Sequence, residues 1–280
     1  MRLKELLAGY AFPDSVGERE ICRISTSTKG DLADTLFICL AGAKDDGHRY
    51  AKAAAAEGAV VLCEHDCGVP DAISVPDTRE AYARCCAAWY GHPGDGMTLC
   101  AVTGTNGKTS TATTVYRLLR MCGRKAGFIG TTGACWEDKE ETLPLTTPDP
   151  MQLHRILRRM ADDGVTHVML EASSHALDQK RLSGLHFSVA VFTNLTQDHF
   201  DYHKNMVEYF CAKKKLFEMA DRAVICTDDQ WGKELSETLA IPVQTVSRSS
   251  RNASYSVEDI KSSADGVQFT LSCCGLSWQA

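Results

Sequence analysis

The sequence has no apolar run of about 18 residues or more, so no segment of it has the make-up of a membrane-spanning helix and no membrane insertion is expected. It also lacks an excess of positive charge. The formal net charge is −6, the opposite of the basic footprint that holds a nucleic-acid backbone, and no nucleic-acid partner is expected. The opening segment, Met1 to Leu7, has neither a long apolar stretch nor a small-residue cleavage site, which argues against a secretory signal. There is no internal repeat and no low-complexity tract. Cysteine is plentiful, at 13, but a disulfide framework is missing: the count is odd, and Cys85-Cys86 and Cys273-Cys274 are adjacent pairs that rarely bridge each other. Cys63 and Cys67 frame His65 in a faint metal pattern, although a strand end followed by a turn accounts for the same residues. Many of the cysteines sit in apolar runs and read as small core residues, which suits the cytosol.

What is present is ordinary globular composition, 44% hydrophobic and 24% charged over 280 residues, enough for one large or two medium domains. Residues 1–92 read as a small α/β domain, with strands at 35–40 and 59–63 and helices at 50–57 and 78–90. The breaker-rich stretch Gly91 to Gly96 marks a boundary. A second domain, 97–280, has strands at 97–102, 126–129, 165–170, 189–193 and 223–226. Helices at 151–163 and 206–219 lie between them. Such apolar strands suit a mostly parallel sheet with helices on both faces. Residues 267–271 and 276–278 read as a hairpin, after which the chain stops with no closing helix; the expectation is a C-terminally truncated piece of a longer protein.

The strongest local signal is Thr103 to Ser110, a glycine-rich loop between the strand ending at Val102 and a helix predicted over 109–121. Strand, loop and helix in that order cradle phosphates, because backbone N–H groups and the positive helix end face the anion. Gly104 and Gly107 keep the loop clear of side chains. Thr105, Asn106 and Ser110 complete it, Lys108 suits the β- and γ-phosphates, and the Thr109 hydroxyl suits Mg²⁺. Only two residues separate Gly104 from the Gly107-Lys108 pair, where the general P-loop has four.

Thr-Gly-Thr-Asn-Gly-Lys-Thr at 103–109 resembles the nucleotide loop of the Mur ligase superfamily, which includes the cell-wall peptide ligases and folylpolyglutamate synthetase. The resemblance covers nearly the whole chain and implies an ATP-dependent amide-bond ligase, an α/β protein whose N-terminal domain takes the uridine end of a UDP-sugar and whose central domain takes ATP. The family has a third, C-terminal domain for the incoming amino acid; this chain ends before it and with its central domain incomplete, so the piece alone need not be active.

Glu171 ends the strand at 165–170, where a carboxylate faces the ligand crevice; a plain surface glutamate is the other reading. Thr193 to His203, which follows the strand ending at Phe192, carries two histidines and two aspartates, as metal or acid–base groups or as helix caps. With Glu171 they suggest a second metal, His199 serving as a neutral imidazole ligand. Helical phase over 206–219 puts Lys213 in the middle of an apolar stripe, costly unless the side chain snorkels, pairs or is chemically altered. Tyr209 to Lys213 resembles the family segment whose lysine carries a carbamate made from CO₂. The resemblance therefore implies ATP, two Mg²⁺ ions held by Thr109, Glu171, His199 and carbamylated Lys213, and Lys108, Lys213 and His199 as catalytic residues.

Thr146-Thr147-Pro148-Asp149 resembles the substrate segment of the subfamily that adds the third amino acid of the peptide stem, and Asp149-Pro150 also suits a helix N-cap and first turn. The implied substrate contacts are Thr146, Thr147, Ser173, Gln179 and Arg181, with Thr28 at the uridine. There the family's Asp-Ser-Arg has become Ser27-Thr28-Lys29, losing the acid. The implied substrates are UDP-N-acetylmuramoyl-L-alanyl-D-glutamate and meso-diaminopimelate or L-lysine, joined through an acyl phosphate; a cytoplasmic monomer is expected. Other readings are a folylpolyglutamate synthetase or a non-catalytic nucleotide-binding module. No Asn-Lys-x-Asp base-reading segment of a P-loop GTPase occurs.

Overall fold

The computed structural model describes residues 1–42, 45–198, 202–263 and 266–279. It is an α/β protein of two compact units. The first holds residues 1–93, 149–158 and 179–184; the second holds 94–148, 159–178 and 185–280. The segments 149–158 and 179–184 lie beyond the breaker-rich boundary in sequence yet pack with the first unit, and Met151 joins its core. A boundary drawn as one cut in the chain has no means of finding such returns.

In the first unit, α1 (Leu3–Leu6), α2 (Asp14–Gly17), α3 (Ala51–Ala56) and α4 (Thr78–Trp89) accompany a parallel sheet. Its strands are β1 (Arg23–Ser25), β2 (Thr35–Ile38), β3 (Val60–Cys63) and β4 (Ile73–Ser74), in that spatial order. Strand period puts Leu36, Ile38, Val60 and Leu62 on one face, where they join the cluster containing Leu3, Ile24 and Cys85. Phe37, Val61 and Cys63 point the other way, into a second cluster with Leu32, Cys39 and Ala54. Both faces are therefore dry, and β2 and β3 read as unbroken apolar runs for that reason. The helix expected over 50–57 begins earlier, as a 3₁₀ turn at Gly47–Tyr50 capped by Asp46, and becomes α-helical at Ala51.

The helix α6 (Pro150–Asp162) contributes His154, which is fully buried with neither ring nitrogen hydrogen-bonded. Burial, helped by nearby His92, pushes its pKa down to about 4. The unfolded chain takes up this proton at the ordinary imidazole value, well above the folded one. Stability is therefore lost as pH falls from the ordinary value toward about 4. His154→Leu should raise the melting temperature, and by more near about pH 5 than near about pH 7.5. Thermal unfolding at both pH values checks this; the same shift at each would contradict it.

The second unit holds α5 (Lys108–Met121), α7 (Ser174–Asp178), α8 (Met206–Lys214) and α9 (Gln230–Thr238) around one large sheet. Its strands are β5 (Thr98–Thr103), β6 (Ala126–Gly130), β7 (Gly133–Trp136), β8 (Lys139–Glu141), β9 (His167–Glu171), β10 (Val189–Phe192), β11 (Ala223–Cys226), β12 (Val243–Ser247), β13 (Tyr255–Ser263), β14 (Gly266–Cys273) and β15 (Leu276–Gln279). They lie in the order β15-β14-β13-β12-β11-β10-β5-β9-β6-β7-β8. The strands from β13 across to β6 are parallel; β7 and β8 at one edge and β14 and β15 at the other are antiparallel. Val102, Phe128 and Met169 pack under α5 with Ala112 and Tyr116. Their neighbours Ala101, Ile129, Val168 and Leu170, on the opposite face, are equally buried.

The chain leaves β5 for β6, returns to β9 beside β5, then crosses to β10 on its other side. Strand order thus reverses around β5, which opens a crevice at the carboxyl ends of β5, β9 and β10. Thr103, Glu171 and Phe192 end those three strands. The predicted helix 206–219 is α-helical only to Lys214 and tightens to a 3₁₀ turn at Lys215–Met219. Of the 13 cysteines, Cys39, Cys63, Cys85 and Cys86 are buried; Cys22, Cys122, Cys211 and Cys274 are exposed, so the core reading holds for only some, and all are free thiols. Among the described residues no helix is long and apolar enough to cross a membrane.

Candidate functional site

The loop after β5 takes its shape from two glycines in the positive-φ region, Gly104 at φ +144° and Gly107 at φ +84°. A side chain on Gly104 would collide with the Thr193 hydroxyl, so the loop lies against the segment following β10. That segment holds it in place. The Asn194 carbonyl accepts from the Thr105 amide at 2.8 Å, and the Asn194 side chain accepts from the Asn106 amide at 3.0 Å and donates to the Asn106 carbonyl at 3.1 Å. The Thr193 hydroxyl donates to the same carbonyl at 2.7 Å. The Thr105 hydroxyl bridges the Thr196 backbone and the Tyr209 hydroxyl. Gly107 then opens α5 with no side-chain cap, which leaves the first amides of a 14-residue helix facing the crevice.

Three charged side chains converge here. Lys108 Nζ donates to the carbonyls of Gly104 at 2.9 Å and Thr105 at 2.8 Å. Burial pushes its pKa below the ordinary lysine value, against the pull of Glu171 and Asp198. Lys213 is 1% exposed, and its Nζ donates to the same Gly104 carbonyl at 2.8 Å while lying 4.5 Å from the Tyr209 ring centre. Burial, and then repulsion from Lys108, drives its pKa well below normal. The helical phase that puts Lys213 among Tyr209, Leu216 and Phe217 thus corresponds to real burial, not to a snorkelling side chain.

Glu171 is fully buried at the end of β9. Its carboxylate accepts from the Thr109 hydroxyl at 2.9 Å, the Thr131 amide at 3.0 Å and the Thr131 hydroxyl at 3.1 Å. Any side chain at Gly130 would strike this carboxylate, which is why β6 ends in glycine. Thr109 and Glu171 form an oxygen-only pair at the foot of the uncapped helix, a donor set that fits Mg²⁺. Lys213 as a free amine is a donor and not an oxygen ligand. Among the described residues no three His, Cys, Asp or Glu side chains gather around one point. His199 lies outside the described residues.

The predicted substrate residues fall in both units. Thr146 shares a 3.1 Å hydroxyl contact with Thr131. Thr147 is buried; its hydroxyl donates to the Glu171 carbonyl at 2.7 Å and accepts from the Ser173 amide at 3.0 Å. Its side chain therefore positions the residues after β9, and Ser173 joins it at 3.2 Å. Asp149 caps α6, accepting from the amides of Met151 and Gln152. In the first unit the Gln179 side-chain oxygen accepts from Arg181 at 2.7 and 3.1 Å. Thr28 is exposed and, with Ser27, Lys29, Tyr50 and Arg79, lines a cavity of about 500 Å³. Thr193 and Asn194 open the polar loop that the sequence points to, without a site role of their own, and Thr131 is not among the residues the sequence points to. The signal for Thr193 and Asn194 is that they follow an apolar strand directly; Thr131 follows the strand at 126–129 just as directly, but nothing in the sequence ties it to Glu171.

Residues 102–279 match the profile of the Mur ligase middle domain. Two curated relatives are both UDP-N-acetylmuramoyl-L-alanyl-D-glutamate–2,6-diaminopimelate ligases. That of Corynebacterium glutamicum is 38% identical over 269 residues, 91% of this chain and 52% of its own length. That of Agrobacterium fabrum is 40% identical over 265 residues, 89% of this chain and 53% of its own. A solved structure of a ligase of the same name superposes with a TM-score of 0.85 at 28% identity, covering 100% of this chain and 59% of the other. The chain thus spans about half the length of the curated relatives it matches.

Proposed function

The chain belongs to the Mur ligase family, and on that premise we propose that it is the ATP-binding and sugar-nucleotide-binding part of a ligase that adds a diamino acid to UDP-N-acetylmuramoyl-L-alanyl-D-glutamate in the cytoplasm. The observation that carries this reading is the convergence of the loop at 104–110, Glu171 and Lys213, joined by the Thr109–Glu171 and Lys213–Gly104 hydrogen bonds. The names of the relatives, which are 2,6-diaminopimelate ligases, favour diaminopimelate over L-lysine as the added amino acid.

In this reading the uncapped start of α5 and Lys108 hold the ATP phosphates, and Lys108 offsets charge as the γ-phosphoryl group moves to the substrate carboxylate. The resulting acyl phosphate is attacked by the amine of the diamino acid, forming the C–N bond and releasing phosphate. Magnesium bound at Thr109 and Glu171 would supply positive charge against the phosphate oxygens. Thr131 orients the Glu171 carboxylate, and Thr147 fixes the backbone that carries it. Burial favours the neutral amine of Lys213, the form that adds CO₂: the N–C bond forms, one proton leaves to solvent, and the neutral amine becomes an oxygen-rich carbamate anion. With His199 that anion would hold a second magnesium, which would add positive charge at the reacting oxygens. Ser173, Thr146, Gln179 and Arg181 face the muramoyl dipeptide, and Thr28 the uridine; the working unit is a monomer.

The test is ADP and phosphate release by the complete gene product. Release should require both the UDP-muramoyl dipeptide and the diamino acid. Release driven by a folate and glutamate would favour the synthetase reading, and no substrate-dependent release at all would favour a nucleotide-binding module.

A further inference from the structure

The first unit carries a group of thiols that the ligase chemistry does not use. Cys63 ends β3 and is buried; Cys39 follows β2 and is buried beside it; Cys67, half-exposed, packs against the same apolar cluster. The turn from Glu64 to Gly68 folds the chain back. The Asp66 side chain accepts from the Gly68 amide at 2.7 Å, Gly68 takes φ +66°, and the Cys67 thiol donates to the His65 carbonyl at 3.3 Å. This return lays Cys67 against the apolar cluster that holds Cys63, four residues earlier in the chain. Burial raises Cys63 to about 11 and Cys39 to about 12, so both rest as thiols and the half-exposed Cys67 is the one placed to react first.

The same turn is tied to the wall of the cavity that Thr28 lines. The Glu64 amide donates to His48 Nε2 at 3.1 Å, and the His65 ring stacks on the His48 ring at 4.3 Å. Asp46 holds the other His48 nitrogen at 2.6 Å. Gly47 and Tyr50, on either side of His48, line the cavity.

We propose that Cys63 and Cys67 are a modification site, a dithiol that closes to a reversible disulfide by exchange with a small disulfide such as glutathione disulfide, and that closure rearranges the His65–His48 stack behind the cavity wall. The Cys67 thiolate attacks one glutathione sulfur and expels one glutathione thiolate. Cys63, giving its proton to solvent, then attacks the Cys67 sulfur of the mixed disulfide and expels the second. Two protein thiols are oxidised and one small disulfide is reduced to two thiols.

The experiment incubates the 280-residue chain with glutathione disulfide, blocks remaining thiols by alkylation, and maps peptides by mass spectrometry. A parallel sample follows the ring signals of His48 and His65 by NMR. The expected result is a peptide internally linked between Cys63 and Cys67, reversed by dithiothreitol, with both histidine signals displaced. In Cys67→Ser, which alters a half-exposed side chain and leaves the core intact, neither should occur. Cys67 stopping at its mixed disulfide while Cys63 is alkylated, or Cys63 linking to Cys39 instead, would overturn the site. A Cys63–Cys67 link that leaves both histidine signals in place would overturn the coupling to the cavity.

Discussion

Lys108→Ala in the complete gene product should lower substrate-dependent phosphate release by about a hundredfold to a thousandfold, the size of loss that follows removal of one well-placed electrostatic group. The ammonium sits on the loop's own carbonyls, Gly104 and Thr105, at the uncapped start of α5, where Lys108 is the first helical residue. No other described cation in the second unit combines that position with partial exposure: Lys213 is 1% exposed and lies behind the loop. The substitution removes charge where the γ-phosphate would lie and leaves the Asn194 clamp untouched, so the melting temperature should change little. A phosphate-release assay beside a thermal melt checks both parts. Retention of more than about a tenth of the activity would remove Lys108 from phosphoryl transfer.

Lys213→Ala should be inactive, and short carboxylates such as acetate or propionate should restore part of the activity. The side chain is a neutral-leaning amine in a dry site, a state that favours addition of CO₂ and is costly for a plain ammonium. Truncation leaves a space that a small carboxylate can enter, replacing the oxygens but not the lysine. Rescue by carboxylate is the diagnostic readout, because a merely structural lysine would not respond to it. Full activity of Lys213→Ala without additive would refute the carbamate, and a melting temperature lowered without rescue would reduce Lys213 to a loop support through its bond to the Gly104 carbonyl.

Legibility of the fold followed burial. β2, β3, β6 and β9 are mostly apolar because both of their faces are covered, and their positions are readable to within two residues or so. β1 and β8 are three residues long and polar or partly polar, and β7 is a four-residue run opened by glycine, too short to separate from a turn. β12 and β13 escaped for another reason: their half-exposed pattern mixes Ser, Thr, Glu and Lys, so the alternation is weak.

The site was legible wherever chemistry is written into one segment. Gly104, Gly107, Lys108 and Thr109 form such a segment, and Lys213 betrays itself by sitting on an apolar helix face. Partners supplied across the fold were not legible. Thr131 reaches Glu171 from 40 positions away, and no spacing rule links a β6–β7 turn to the end of β9. Thr147 stood out through its motif, yet its hydroxyl holds backbone inside the protein, a role visible only once its burial is known.

The most direct test of the account is a crystal structure of the chain grown with Mn²⁺ and a non-hydrolysable ATP analogue, with anomalous diffraction locating the metal. The account predicts an anomalous peak in contact with the Thr109 hydroxyl and the Glu171 carboxylate, with the terminal phosphate against Lys108. Triphosphate bound elsewhere on the sheet, or a peak that touches neither Thr109 nor Glu171, would contradict it.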